Sequence, residues 1–270
     1  MDSSSEILDF YAEGREEQRL TASVGRLERI RTWEILERHL PPPPSRILDV
    51  GGGTGVYAFP LAARGYRVHL IDAAPLHVQR ARALSKVSAA PLAAADVGDA
   101  RQLNVPDATA DVVLLFGPLY HLIDRADRVA ALGEARRVLV PGGLLVSAYI
   151  SRFASAIDGI QEGALRGPDF AAIVDRDLTD GIHRNPTRRP DWFTTAYLHR
   201  PEEIGPEIEE AGLLFDALIP IEGPGWMNRD LDSWLDDEAA RERLLQVLRR
   251  VETEPSLMGA SAHLLAIARR

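Results

Sequence analysis

Apolar positions change period several times along this chain. From residue 16 to residue 39 they recur at helical spacing, with Leu20, Val24, Leu27, Ile30, Ile35 and Leu36 on one stripe, which predicts an N-terminal helix. Four consecutive prolines, Pro41 to Pro44, stop it and form a short stiff spacer. Beyond them, short continuous apolar runs alternate with helical patterns. Strands are predicted at residues 46–50, 68–71, 91–95, 110–116 and 144–150, and helices at 56–63, 76–88 and 125–139. Pro141-Gly142-Gly143 reads as the turn before the fifth strand.

Strands that alternate with helices and are apolar throughout predict a parallel sheet covered on both faces. Residues 151–197 break the alternation. They hold Gly, Pro, Arg and aromatics with no clear long period, the expectation for an insertion that covers a site. A helix resumes at 201–211, a sixth strand is predicted at 213–219, a charged, mostly helical stretch at 230–251, and a seventh strand at 262–268. The organisation expected is a helical cap over 1–40, a nucleotide-binding core over 41–150, a lid or substrate insertion over 151–200, and the rest of the core sheet over 201–270.

Composition narrows the function. The net charge is −9, so the arginines clustered at 184–189 and 241–250 are offset by acids. A nucleic-acid partner is not expected, because such proteins present a basic stripe to the phosphates. With no cysteine, disulfides, thiolate metal sites and a cysteine nucleophile are excluded. The histidines are scattered with no H-x-x-x-H pair, so no metal site is expected. The polar, acidic start does not read as a signal peptide, and no apolar run nears the ~20 residues that span a bilayer. The expectation is a cytoplasmic protein without membrane contact, with the 230–251 stretch a candidate surface for a homodimer.

The most informative segment is Ile47-Leu48-Asp49-Val50-Gly51-Gly52-Gly53-Thr54-Gly55, where a strand passes into a helix. Glycines let a backbone turn sharply and approach a ligand closely, and loops at the carboxyl ends of parallel strands form the binding crevice of open α/β sheets. Two further acids end predicted strands: Asp72, placed to accept ribose hydroxyls, and Asp96, placed near an adenine amino group. Each alone is a turn or a solvated acid; their conjunction is specific. The glycines stand at 51, 53 and 55 and position 56 is valine, which departs from the dinucleotide pattern G-x-G-x-x-G. No P-loop pattern occurs.

With these residues in place, the segment resembles motif I of class I S-adenosylmethionine (SAM)-dependent methyltransferases. The resemblance covers residues 45–150 closely and the last two strands in pattern. It implies a three-layer, doubly wound α/β fold with a seven-stranded, mostly parallel sheet, strand seven antiparallel between five and six. It implies that Asp49, Gly51, Gly52, Gly53, Thr54 and Gly55 hold the methionine part of SAM, that Asp72 binds the ribose with Ala73 beside the adenine, and that Asp96 and Val97 flank the ring. Phe116 and Gly117 match the lining of the sulfonium pocket. Gly117-Pro118-Leu119-Tyr120-His121-Leu122 resembles an element of a bacterial subgroup that also carries an N-terminal Tyr and an Arg-Leu pair, here Tyr11 and Arg19-Leu20.

Methyl transfer from a sulfonium needs chiefly positioning, and a base where the acceptor is protonated. His121 is the candidate base, since histidine titrates near neutrality. Its alternative role is to bond its own loop. Tyr120 would orient the acceptor or pack. Tyr11 and Arg19 would close over the cofactor, Arg19 pairing with its carboxylate. His183, Trp192, Tyr197 and Trp226 are candidates for an acceptor pocket, or for the insertion's own small core. The expected activity is methylation of O or N on a small molecule, leaving S-adenosylhomocysteine (SAH). The alternatives are an NAD(P)-dependent oxidoreductase and a SAM-binding fold turned to a non-methylation step.

Overall fold

In the computed structural model, residues 23–270 are described, except 188 and 190. They fall into two compact units.

The larger part of the first unit is residues 40–148, with 204–217 and 266–270. Its strands are β1 (Arg46–Val50), β2 (Arg67–Asp72), β3 (Ala94–Val97), β4 (Ala110–Leu115) and the start of β5 (Leu139–Ser151). They lie in the order β3-β2-β1-β4-β5 and pair in parallel. Leu48, Val50, Leu70, Val112, Val113, Leu114 and Leu145 are each at most 2% exposed, so the central strands are buried on both faces. A helix of the other unit, α1 (Ser23–His39), precedes these strands, and between them run α2 (Ala58–Ala63), α3 (Pro75–Val87), α4 (Pro118–His121) and α5 (Arg125–Val138).

The third strand begins later than the expected 91–95, at Ala94. The chain enters it through Ala93 N–H on the Val68 carbonyl (2.8 Å), beyond Pro91, which has no N–H to donate. Pro141-Gly142-Gly143 is not a free turn before strand five but lies inside β5. The pairing jumps there from Ala110↔Leu139 to Val112↔Leu144, and Gly142 takes the positive φ (+75°) that such a bulge requires.

The C-terminal strands β8 (Leu214–Pro220) and β9 (His263–Arg269) pair with each other, and β9 also pairs with β5. Gly142 bonds to Arg270, whereas Ser151 bonds to Ala262, so β9 runs antiparallel to β5. This is the arrangement expected of the last strand. Among the described residues the sheet has nine strands rather than seven, because the insertion adds two short ones, β6 (Ile182–His183) and β7 (Ala196–His199), paired antiparallel.

The second unit holds described residues 23–39, with 149–203 and 218–265. Its insertion is more regular than the sequence suggested: α6 (Ala154–Gln161) and α7 (Pro168–Asp180) precede β6. The helix α8 (Pro201–Glu210) follows β7, and α9 (Leu231–Asp236) and α10 (Glu238–Val251) fill the charged stretch. Leu27 of α1 packs with Leu231, Leu235, Leu244, Leu245 and Leu248. Burial of such leucines stabilises by roughly 1.5–3 kcal/mol each.

Two buried positions on α1, Glu28 and Arg31, are charged. Arg31 is fully buried, donating Nε to the Ile221 carbonyl (3.1 Å), Nη1 to Glu34 (2.8 Å) and Nη2 to Glu252 (2.6 Å). The same unit gathers Glu28, Glu222 and His263, whose ligand atoms lie within 4.8 Å of one another. Burial works to raise the Glu222 carboxyl, and the His263 imidazole and backbone N–H overcome it, holding it below the usual carboxylate range. Sequence spacing gives no sign of this cluster. No helix among the described residues is long and apolar enough to cross a membrane.

Candidate functional site

The parallel register sets where the loops emerge. Val50 pairs with Ile71 on one side and with Leu115 on the other. The chain therefore leaves β1, β2 and β4 at one edge, and the order reverses between β1 and β4, the place where open α/β sheets bind ligands.

At that edge the glycine segment is held tightly. Gly51 N–H donates to the Ile71 carbonyl (2.7 Å), and Gly53 N–H donates to Asp72 Oδ2 (2.8 Å). A Cβ on Gly51 would lie 2.5 Å from Pro118 Cδ and 2.7 Å from the Phe116 carbonyl, so this glycine lets the loops after β1 and β4 touch. Among the described residues a Cβ on Gly53 would meet nothing within 4 Å, although its φ of +57° is left-handed. The tip of the loop therefore borders open space.

Asp49 sits beneath this loop. It is 1% exposed, and among the described residues neither carboxylate oxygen has a hydrogen-bond partner. The site for a Cβ on Gly52 is only 2.8 Å from Asp49 Oδ2. Burial pushes the Asp49 carboxyl up to about 7, and the nearby charge of Asp72 adds to the effect. An unpartnered buried carboxylate is costly, and a cation placed above the loop would offset that cost.

Asp72 is committed on three sides. Oδ2 accepts from Gly53 N–H, and Oδ1 from Ala74 N–H (2.8 Å) and His77 Nδ1 (3.1 Å). A carboxylate offers about four acceptor positions, which leaves capacity for a hydroxyl. Ala73 beside it is exposed. Val97, paired with Asp72 across β2 and β3, is 52% exposed, a bare apolar face at the strand end. Asp96 is placed differently. Its two oxygens accept from Arg82 (2.7 Å) and His69 (2.9 Å), so its carboxylate is held by neighbours on α3 and β2.

After β4, Phe116 packs edge-on against Tyr57 (5.3 Å between centroids). Gly117 takes a φ of +119° and leads into α4, which carries Tyr120 and His121 half-buried, their rings 4.8 Å apart. The end of this short helix is pinned by a residue the sequence reading did not single out. Arg128, 1% exposed, donates Nη1 to the carbonyls of Leu122 (3.0 Å) and Ile123 (2.7 Å). Its Nε and Nη2 donate to Glu207 (3.0 and 2.7 Å). The buried ion pair fixes the turn that follows His121.

The predicted acceptor residues lie in the second unit, in separate surroundings. His183 bonds Asp177 (2.8 Å), and Trp192 packs on Phe170 (5.0 Å) and under Arg189. Tyr197 meets Arg152 and Glu203, and buried Trp226 donates to the Ala260 carbonyl (2.7 Å). In the β6–β7 ladder His183 pairs with Ala196, the neighbour of Tyr197, so alternation puts His183 and Tyr197 on opposite faces. Tyr11 and Arg19 lie outside the described residues.

A family described as a methyltransferase domain matches residues 47–143. An uncharacterised methyltransferase of Mycobacterium tuberculosis is 31% identical over 185 residues, covering 67% of this chain and 68% of that protein. A ubiquinone biosynthesis O-methyltransferase of Cereibacter sphaeroides is 32% identical over 189 residues, covering 66% of this chain and 64% of the relative. Among solved structures, a SAM-dependent methyltransferase of Methanosarcina mazei superposes with a TM-score of 0.59 at 17% identity, over 87% of this chain and 96% of that one. The chain belongs to the methyltransferase family, and its fold is the Rossmann-like fold of class I SAM-dependent methyltransferases.

Proposed function

We propose that this methyltransferase binds SAM over the Asp49–Gly55 loop and transfers its methyl group to an oxygen or nitrogen of a small molecule. The observation that carries the cofactor assignment is the orphaned carboxylate of Asp49 beneath an open glycine loop. SAM carries a sulfonium and an ammonium, and both are favoured above a buried acid. A dinucleotide would set its pyrophosphate on the same loop, where a second negative charge is repelled. This separates SAM from NAD(P) on electrostatics, beyond the spacing of the glycines.

The residues present fit the group. Asp49 supplies charge through the loop, and Gly51, Gly52, Gly53, Thr54 and Gly55 supply close backbone approach. The remaining acceptor capacity of Asp72 suits a ribose hydroxyl. Val97 and Ala73 offer an apolar face to adenine, and Phe116 and Gly117 line the sulfur end. Bound there, SAM supplies a methyl already activated by its positive sulfur. Tyr120 orients the acceptor, and His121 takes the proton of an acceptor that arrives as O–H or N–H. The turn held by Arg128 keeps His121 in place.

An oxygen acceptor is supported by the name of the Cereibacter relative, whose acceptor chemistry is O-methylation. A small acceptor accords with the acidic net charge of −9, which disfavours a polyanion. The test is transfer of labelled methyl from SAM across a panel of phenols, catechols and aryl amines. Labelled product from at least one member supports the reading. SAM binding with no product from any member overturns methyl transfer to this class.

A further inference from the structure

Three side chains with metal-ligating atoms converge in the second unit from places far apart in the chain. Glu28 stands on α1, Glu222 lies just beyond β8, and His263 begins β9. All three belong to the same compact unit, and their ligand atoms lie within 4.8 Å of one another.

The backbone sets two of them side by side. Ile221 N–H donates to the His263 carbonyl (3.0 Å), which brings Glu222 to the start of β9. Glu222 Oε2 is then held by Ser261 Oγ (2.9 Å) and by the backbone N–H of His263 (3.0 Å). This turns Oε1 to the imidazole, 2.6 Å from Nδ1. A carboxylate anchored through one oxygen and presenting the other is the arrangement that orients a metal ligand.

An ion pair accounts for Glu222 and His263 alone. Glu28 Oε2 approaches the same Nδ1 at 3.7 Å, beyond hydrogen-bond reach. One N–H cannot serve two carboxylates arriving from different elements, whereas a metal ion can. Ligands bound at zinc distances stand about 3–3.5 Å apart, between the 2.6 and 3.7 Å seen here, so each contact needs to move by less than about 1 Å. Arg31, one turn along α1, directs its guanidinium to Glu34, Glu252 and the Ile221 carbonyl. The Glu222 side chain is fully buried, but those of His263 and Glu28 are 21% and 11% exposed. The cluster therefore opens to solvent at one end, and an ion can enter without an internal cavity.

We propose that Glu28, Glu222 and His263 bind one divalent first-row transition ion, with zinc the best match, and that the ion clips α1 to the β8–β9 end of this unit. An imidazole with two carboxylates suits zinc, while the nitrogen ligand disfavours magnesium and calcium. Three protein ligands leave a fourth position for water. Because the ligands come from three separate segments, binding favours the folded chain. This holds whether or not the glycine loop binds SAM.

Chelator-stripped protein is titrated calorimetrically with zinc chloride and, separately, with magnesium chloride, and is melted with and without zinc. The expected result is one zinc per chain, bound at least about tenfold more tightly than magnesium. The melting temperature should rise with zinc and fall back when a chelator is added. In histidine-labelled protein, zinc should shift the His263 Nδ1 signal in long-range proton–nitrogen correlation. Glu28→Gln and His263→Gln should each raise the zinc Kd at least about tenfold, with circular dichroism confirming the fold of each variant without metal. Absence of zinc binding, equal affinity for magnesium, an unmoved Nδ1 signal, or zinc affinity unchanged in both variants overturns the proposal and leaves an ion-pair cluster. Where a variant does not fold, the Nδ1 signal of the parent decides.

Discussion

The replacement Asp49→Asn should stabilise the protein while weakening its function. The Asp49 carboxyl is raised from 3.8 to about 7 by burial first and by Asp72 second. The native state therefore holds a proton that the unfolded chain releases. Between those two values the unfolded state binds fewer protons, so stability falls as pH rises. At about 1.36 kcal/mol per tenfold change, the penalty is about 1.6 kcal/mol near pH 5 and about 4 kcal/mol near pH 8. Asparagine fills nearly the same volume and carries no charge, so it removes this penalty. The variant's advantage in urea denaturation should grow by about 2–3 kcal/mol between those pH values. Its affinity for SAH should fall, because the loop no longer lies above an acid. A variant less stable than the parent near pH 8, or an advantage that does not change with pH, would exclude a buried-charge penalty at Asp49.

Other substitutions probe the supports of the site. Gly51→Ala meets both a positive φ and the Pro118 ring, so it should lose well over the roughly 1–2 kcal/mol that the φ alone costs. Gly53→Ala should lose only that φ cost, and thermal melts compare the two. Arg128→Leu takes both guanidinium hydrogen bonds from buried Glu207 and should cost about 3–5 kcal/mol in urea unfolding. The double change with Glu207→Leu should recover most of that loss. His121→Gln should lower turnover by about 10²–10⁴ with a responsive acceptor and leave SAH affinity unchanged.

The sheet was legible because its strands are apolar on both faces, and a run such as Ala110–Leu115 has few other uses. Its details were not. A turn read from Pro141-Gly142-Gly143 is a bulge inside β5, because bulge and turn demand the same positive φ of glycine. Within the insertion, α7 did carry a helical signal. Pro168 stands at its start, Phe170, Ile173, Val174 and Asp177 form the buried stripe, and Gly181 ends it. The acid in that stripe obscured the pattern. Buried charge is placed by partners distant in sequence, such as Glu252 for Arg31 and Glu207 for Arg128, and periodicity carries no trace of them. The loop after β1 draws Asp49, Gly51 and Asp72 together at one sheet edge, and Asp96, which shares their spacing, bonds to Arg82 and His69.

A cation should bind above the Asp49 carboxylate. Calorimetric titration with SAM near pH 7, repeated in two buffers of different ionisation enthalpy and set against NADH, tests it directly. SAM should bind, and binding should release protons to the buffer as the carboxyl of Asp49 gives up its own. NADH should not bind. No heat with SAM at millimolar concentration, or binding of NADH in its place, would mean that the loop above Asp49 is not a SAM site.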